Sequence, residues 1–368
     1  CSPLNVEDYV PQPSLFASPT KWHLAHTSWF FEEMILKAHC PDYPIFHENF
    51  GFLFNSYYNS IGDRTERIDR GAITRPGIEE VYSYRKHVNN WISKEIKSLL
   101  DKGLSGLIEL GLQHEQQHQE LLMTDLKFML SRNPIHPVYQ AEWPWLTEKN
   151  SENQQWLQVP EGIYTIGHDG NGFAFDNEFG QHRVFLESFE ISNGLVTNGE
   201  FIEFIDAGGY QDFRYWLDEG WAWVSEEKIE APLYWRQKEG QWHQYTLSGL
   251  QIIDPNAILG HVSYYEAAAF ALWKGMRLPT EFEWEAAQTQ FQWGSRWEWT
   301  NSAYLPYPKF KIPEGAVGEY NGKFMINQMV LRGGSVATAE GHSRPTYRNF
   351  FHPQYQWQYT GIRLVRQL

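Results

Sequence analysis

The 368-residue chain has few cysteines and little positive charge. Cys1 and Cys40 are its two cysteines, which excludes a disulfide framework and a cysteine-rich zinc site and fits a reducing cytoplasm. The formal net charge is −15 at pH 7, and because an acidic surface repels phosphate backbones, we expect no nucleic-acid partner. The sequence has no apolar run of about 18 residues and no signal-peptide pattern, so we expect no membrane partner and a cytoplasmic location.

The remaining composition is that of a folded protein with two domains. The length favours two domains, and the 42% hydrophobic content is enough to build their cores. Residues 1–145 are helical in pattern, with helices predicted over about 19–39, from Gly77 to about Leu100, and over about 105–132. Residues 146–368 alternate short apolar stretches with Gly, Asn and Pro, which predicts an α+β domain. The fold class is therefore an α domain followed by an α+β domain.

A long loop separates the first two predicted helices. It has the sequence HENFGFLFNSYYNSIGDRTERIDRG, residues 47–71. Connections of this length are uncommon unless they are functional, and this one is rich in Tyr and Arg. We therefore expect this loop to carry functional residues.

The third predicted helix carries two histidines four residues apart, in the motif HEQQH. On a helix, His114 and His118 fall on one face, which is the face expected to point into the domain. The same stripe carries Leu107, Leu110, Gln117, Leu121 and Asp125. Two buried histidines can be hydrogen-bonded core residues, or they can share a metal ion. A third ligand is available from the first helix, where His23 and His26 lie one turn apart, and both zinc and iron(II) suit imidazole ligands.

Several motifs together resemble the sulfoxide synthases of ergothioneine biosynthesis. The first half contains WHLAHTSWFFE, FNSYY and HEQQHQE. The second half contains RLPTEFEWEAA, WEWTNSAYLPYP, VLRGGS and TYRNFFHPQYQWQYTGIRL. The resemblance covers nearly the whole chain, with both domains in order. It implies a DinB-like helical bundle over residues 1–145, and a formylglycine-generating-enzyme-like, C-type-lectin-related domain over residues 146–368 that completes the substrate pocket.

The resemblance also implies a reaction. Members of this family use iron(II) and O2 to join the sulfur of a thiol to an imidazole carbon of hercynine, giving a sulfoxide. The iron ligands would be His26, His114 and His118, with His23 in a supporting role. The Tyr-Tyr pair and the short arginine loop resemble the branch that uses free cysteine. Formylglycine formation itself is excluded, because it uses active-site cysteines and the second half has none.

The resemblance implies further site residues. Each of them could instead have a purely structural role. Tyr57 or Tyr58 would deliver a proton during oxidation, or the pair would only anchor the loop. The loop offers Arg64, Arg67 and Arg70, of which Arg64 and Arg67 are favoured to bind the carboxylate of the thiol substrate; the alternative is that they form surface ion pairs.

The expected hercynine pocket draws on both halves of the chain. Gln117 would orient the imidazole of hercynine. Asn349, Phe350 and Trp357 would surround its trimethylammonium group, for which aromatic faces are suited. The alternative for Phe350 and Trp357 is core packing.

The sequence is also compatible with other substrates and other classes of protein. γ-Glutamylcysteine could be the thiol, and histidine or a selenium donor could replace one substrate. A zinc- or nickel-dependent thiol transferase and a non-catalytic lectin-like binding protein are the alternatives from other classes.

Overall fold

The amphipathic stretches of the first half fold as helices. The computed structural model describes residues 1–56, 58, 62–143, 147–151, 154–312 and 321–367. Helices of the first half are α1 (Thr20–Phe31), α2 (Lys37–His39), α3 (Phe50–Leu53), α4 (Ile78–Asp101) and α5 (Ser105–Ser131). A π-helical turn at Glu32–Leu36 joins α1 to α2 without a break. The three helices predicted from the sequence are thus confirmed within one or two residues at their ends.

A buried carboxylate anchors the π-helical turn. Glu32 accepts hydrogen bonds from the hydroxyls of Tyr43 and Tyr84, each at 2.6 Å. Because Tyr84 lies on α4, these bonds tie the end of α1 to α4. Burial and the negative charge of Glu32 raise the pKa of Tyr84 well above its usual value, so its hydroxyl remains a donor.

Close packing of α1 on α5 depends on one glycine. A Cβ placed on Gly111 of α5 would lie 2.8 Å from ring atoms of Phe31, which ends α1. The absence of a side chain therefore lets the two helices approach where α5 carries His114, one turn further on. This contact determines the spacing of the side chains that face each other between α1 and α5.

Twelve strands and four helices make up the second half within the described residues. The strands are β1 (Trp156–Val159), β2 (Gly162–Ile166), β3 (His182–Leu186), β4 (Phe189–Ser192), β5 (Trp235–Lys238), β6 (Gln241–Thr246), β7 (Gly249–Ile252), β8 (Trp297–Ala303), β9 (Met329–Gly333), β10 (Asn349–Phe351), β11 (Thr360–Gly361) and β12 (Val365–Gln367). The helices are α6 (Asn198–Asp206), α7 (Asp218–Glu227), α8 (Tyr264–Trp273) and α9 (Glu281–Ala287). The predicted α+β character of this half is confirmed.

The strands form four small sheets. Their orders are β1-β4-β12, β10-β9-β8-β11, β2-β3 and β5-β6-β7, with β11 parallel to β8 and the other pairs antiparallel. A buried ion pair supports the core, where Glu298 on β8 accepts from Arg363 at 2.6 and 2.8 Å. Glu298 also accepts from the indole N–H of Trp284 on α9 at 2.7 Å. Such a fully partnered carboxylate specifies one arrangement of strand and helix.

Contacts divide the described residues into two units. The first unit comprises Cys1–Ile135 together with Thr338–His342, and the second contains the remainder. Thr338–His342 thus returns to the first unit from the predicted second domain, and the predicted boundary at residue 145 stays a prediction. None of the described helices is long and apolar enough to cross a membrane.

The contact at Gly111 can be tested with a matched glycine on the same helix. Gly111→Ala should reduce the free energy of unfolding by about 1–3 kcal/mol, because the added methyl group meets the Phe31 ring. Gly106→Ala adds the same group with no heavy atom within 4 Å, so it should be neutral or stabilising by up to about 1 kcal/mol. Urea unfolding measures both changes, and equal effects of the two substitutions would contradict the packing argument.

Candidate metal centre

Three histidines from two helices converge in the first unit. His26 lies on α1, and His114 and His118 lie one turn apart on α5. Each offers one ring nitrogen, and these three atoms lie within 4.8 Å of one another. Three imidazoles around one ion leave coordination positions open, as catalytic metal centres do. The arrangement is one that can hold a metal ion.

The hydrogen bond of His26 leaves one nitrogen available. Its Nδ1 lies 2.7 Å from the backbone carbonyl oxygen of Phe54, which can only accept, so Nδ1 carries the proton. Its Nε2 is buried and has no hydrogen-bond partner among the described residues. A buried lone pair of this kind is costly unless a ligand satisfies it, and the donor atom of a neutral imidazole fits a metal ion.

His23 lies beside the three histidines and contacts one of them. Its Nδ1 is 2.9 Å from Nδ1 of His118, and its Nε2 is 3.0 Å from Oδ2 of Asp125. Helical spacing alone leaves both His23 and His26 available as ligands, and the resemblance favours His26. The structure gives His23 these two partners and groups His26 with His114 and His118.

Desolvation favours the neutral form of the three histidines, of which His26 and His114 are buried and His118 is partly exposed. Burial of its ring away from water lowers the pKa of His114 to about 3, and the electrostatic effect of His23 contributes a smaller part. Desolvation first, and the proximity of His114 second, hold the pKa values of His26 and His118 well below the usual value. Neutral imidazole is the form that binds a metal ion, so the site is ready to bind one near pH 7.

An arginine and a tryptophan cover one side of this cluster. The Trp22 ring stacks on the His26 ring with centroids 4.4 Å apart, and the guanidinium carbon of Arg70 lies 3.5 Å from the Trp22 centroid. Arg70 is buried and donates to the hydroxyls of Ser18 at 2.9 Å and Ser56 at 3.2 Å. Its positive charge is close enough to contribute to the lowered pKa of His26. A buried cation beside a candidate metal centre is suited to an anionic ligand.

The two predicted carboxylate-binding arginines differ from Arg70 in their environment. Arg64 is partly exposed and donates to the backbone carbonyl of Ser56 at 3.4 Å. Arg67 is exposed and donates to the backbone carbonyl of Phe16. The sequence places these arginines at every third position of the loop, and that spacing does not indicate which one is buried. Sequence reasoning considered Arg70 with the other two arginines but favoured Arg64 and Arg67, and that preference stays a prediction.

The predicted tyrosine pair is only partly within the described residues. Tyr57 lies outside them. Tyr58 is buried, and its ring centroid is 5.4 Å from that of Trp29, which in turn is 5.3 Å from His26. The side chain of Asn55 fixes the backbone here, because it donates to the carbonyl of Tyr58 and accepts from its N–H.

The segment Thr338–His342 forms hydrogen bonds with residues of α5 that lie near the candidate ligands. His342 Nδ1 donates to Oε1 of Gln113 at 2.6 Å, and the hydroxyl of Thr338 donates to Glu120 at 2.7 Å. Gln117 is partly exposed on α5 between His114 and His118. No pattern in the sequence links residues 338–342 to this helix, because the contact joins segments more than 200 residues apart.

The predicted residues of the second half lie in the second unit. The side-chain oxygen of Asn349 accepts from the backbone N–H of Phe350 at 2.9 Å. The ring of Phe350 stacks on Tyr304 with centroids 4.0 Å apart. Trp357 is buried, with its ring 5.2 Å from that of Phe351. Their proposed contact with a substrate stays a prediction.

Known proteins resemble this chain in both halves. Residues 144–296 and 291–368 match the sulfatase-modifying factor enzyme 1-like domain family. The hercynine oxygenase of Mycolicibacterium smegmatis is 28% identical over 401 residues, covering 95% of this chain and 91% of that protein. The hercynine oxygenase of Mycolicibacterium thermoresistibile is 30% identical over 304 residues, covering 68% of this chain and 67% of that protein. Ergothioneine biosynthesis protein 1 of Schizosaccharomyces pombe is 28% identical over 286 residues, covering 61% of this chain and 34% of that protein.

These matches identify the type of domain in the second half and the family to which the whole chain belongs. The second half is a sulfatase-modifying factor enzyme 1-like domain. The chain belongs to the family of the hercynine oxygenases, which confirms the predicted resemblance to sulfoxide synthases of ergothioneine biosynthesis. It is accordingly an oxygenase.

The neutral histidines predict a particular pH dependence for the metal-free protein. A histidine whose pKa is lowered by folding supports stability that is present above its unfolded pKa and lost as the pH falls towards its folded pKa. For His114 this window runs from about 6.5 down to about 3. Each such group steepens the loss by at most about 1.4 kcal/mol per pH unit.

Urea unfolding with a chelator at pH 7.5 and 5.5 measures this loss. The His114→Gln variant should lose less stability over the same range, because it lacks one of the groups that must take up a proton. An equal loss in the parent and in the variant would contradict the burial of a neutral His114.

Proposed function

We propose that this chain joins the sulfur of L-cysteine to an imidazole carbon of hercynine, with iron(II) as cofactor and O2 as oxidant. One C–H bond and one S–H bond break, and one C–S bond and one S–O bond form. O2 takes up four electrons, with one oxygen atom entering the sulfoxide and the other leaving as water. The product is hercynylcysteine sulfoxide.

The observation that carries this proposal is the set of three neutral histidines. His26, His114 and His118 would hold the iron, and Nε2 of His26 presents a buried lone pair with no protein partner in the described chain. Three neutral ligands leave the full positive charge of an iron(II) ion in place. When bound, such an ion would supply a centre that promotes thiol deprotonation and the reduction of O2.

The residues around the three histidines would bind the thiol substrate and exclude water from the centre. Arg70 is a fixed buried cation and would bind the carboxylate of the thiol substrate, together with Arg64 or Arg67. Trp22 separates Arg70 from His26 and would keep water from that side of the centre. Holding the thiol by its carboxylate would orient its sulfur, which raises the rate by positioning.

The resemblance to the sulfoxide synthases supports further roles for individual residues. Tyr57 or Tyr58 would deliver the proton, and Gln117 would orient hercynine. The trimethylammonium group would be bound by Asn349, Phe350 and Trp357. The first half would have a DinB-like bundle fold, and a cytoplasmic location fits the two cysteines of the sequence.

A competition experiment tests the reaction and the thiol together. Anaerobically prepared, iron(II)-loaded protein is given hercynine, equal amounts of cysteine and γ-glutamylcysteine, and air. Mass spectrometry should detect hercynylcysteine sulfoxide as the main product. His26→Ala should lose both iron and product, whereas His87→Ala, a histidine of the same unit that contacts the Pro44 carbonyl, should retain both.

Each other product would contradict a defined part of the proposal. The γ-glutamyl sulfoxide would contradict the choice of thiol and keep the chemistry. Activity with histidine or a selenium donor alone would contradict the choice of substrates. Thiol transfer without O2, with zinc or nickel bound, would contradict the oxygenase chemistry. Protein that binds hercynine but no metal would be a binding protein.

The role of Arg70 predicts a selective kinetic defect. Arg70→Met should lower kcat/KM for the thiol by about 10- to 150-fold, because a charge-assisted hydrogen bond contributes about 1.5–3 kcal/mol. Arg70→Lys should recover part of this loss through its charge. Arg75→Met removes an exposed arginine of the same unit and should have no effect. If Arg64→Met or Arg67→Met caused the larger defect, the buried arginine would not be the main carboxylate ligand.

A further inference from the structure

We infer that His23 and Asp125 act as a positioning pair that fixes the proton of His118 on Nδ1, so that its Nε2 is free to bind a metal ion. This inference rests on the proposed metal site. It concerns residues that are not ligands, and it assigns a function to the first histidine of the WHLAH motif.

The direction of the hydrogen bonds follows from Asp125. Its Oδ2 accepts from the backbone N–H of Ser18 at 2.8 Å and lies 3.0 Å from Nε2 of His23. A carboxylate has acceptors only, so Nε2 of His23 must carry a proton and donate it. When His23 is a neutral imidazole, its other nitrogen has a lone pair, so Nδ1 of His23 is an acceptor.

The acceptor on His23 in turn determines the state of His118. Nδ1 of His118 lies 2.9 Å from Nδ1 of His23, and two lone pairs cannot face each other at this distance. Opposite a neutral His23, Nδ1 of His118 carries the proton and its Nε2 keeps the lone pair. His23 and Asp125 are both buried, so water is poorly placed to substitute for either of them.

Comparison with His26 shows why Asp125 is needed. The partner of His26 Nδ1 is a backbone carbonyl, which can only accept and so fixes the proton by itself. The partner of His118 is another imidazole, which can donate or accept. The carboxylate removes that ambiguity, because it accepts from Nε2 of His23 and leaves Nδ1 of His23 to face His118.

Two variants of His23 separate positioning from packing. His23→Gln can place its amide oxygen against His118 and its amide N–H against Asp125, which preserves both directions. His23→Leu keeps a similar volume and removes the acceptor. His87→Gln is the matched control. Thermal unfolding of the metal-free variants establishes that each is folded.

The first readout is the proton position in metal-free protein. Imidazole ¹⁵N NMR of histidine-labelled protein, with His118 assigned from the His118→Gln spectrum, should show the proton on Nδ1 in the parent and in His23→Gln. In His23→Leu the proton should be shared between the two nitrogens. A parent protein with the His118 proton on Nε2 would overturn the inference, whether or not the protein binds metal.

The second readout is affinity for Co(II), measured by competition with a chelator and by the visible spectrum of the bound ion. His23→Leu should bind Co(II) about 10- to 100-fold more weakly, whereas His23→Gln and His87→Gln should bind it like the parent. Affinity that is unchanged in His23→Leu, or lowered while the proton stays on Nδ1, would overturn the positioning role. If the parent itself binds no Co(II), the proposed metal site fails, and the NMR measurement still decides the proton position.

Discussion

Three imidazole rings occupy a small volume between α1 and α5, and the local structure is arranged around their burial. Removing neutral imidazoles from water is tolerable only if each nitrogen has a partner. The protein supplies partners on the outer side of His26 and His118, through the Phe54 carbonyl and His23. One ring nitrogen of each of the three histidines lies within 4.8 Å of the others, a spacing at which they could share a metal ion. The close contact at Gly111 sets the distance between α1 and α5, and the buried Glu32 ties the end of α1 to α4.

The arginine loop adds charge to a centre that has none of its own. Three neutral histidines provide no negative charge, and the cation of Arg70 lies against the Trp22 ring that stacks on His26. A centre of this kind favours substrates that bring their own anions, such as a thiolate and a carboxylate. This agrees with the proposed use of a thiol amino acid, and it explains why a carboxylate ligand on the protein is not needed.

Sequence patterns predicted the parts of this structure that depend on local spacing. The bounds of α4 and α5 and the shared face of His114 and His118 follow from helical periodicity and from the signals at the helix ends. Helical periodicity does not choose between His23 and His26, because both lie on one face. The resemblance favoured His26, and the structure gives the two histidines different partners. Burial of Arg70 and the return of Thr338–His342 to α5 depend on contacts between distant segments, which periodicity does not encode.

The most direct test of the account is the number of histidines bound to the metal. X-ray absorption at the iron edge of anaerobically loaded protein reports imidazole ligands through their characteristic multiple scattering. The account predicts three imidazoles in the parent and two or fewer in His26→Ala. A spectrum with fewer than three imidazoles in the parent, or an unchanged spectrum in His26→Ala, would contradict it.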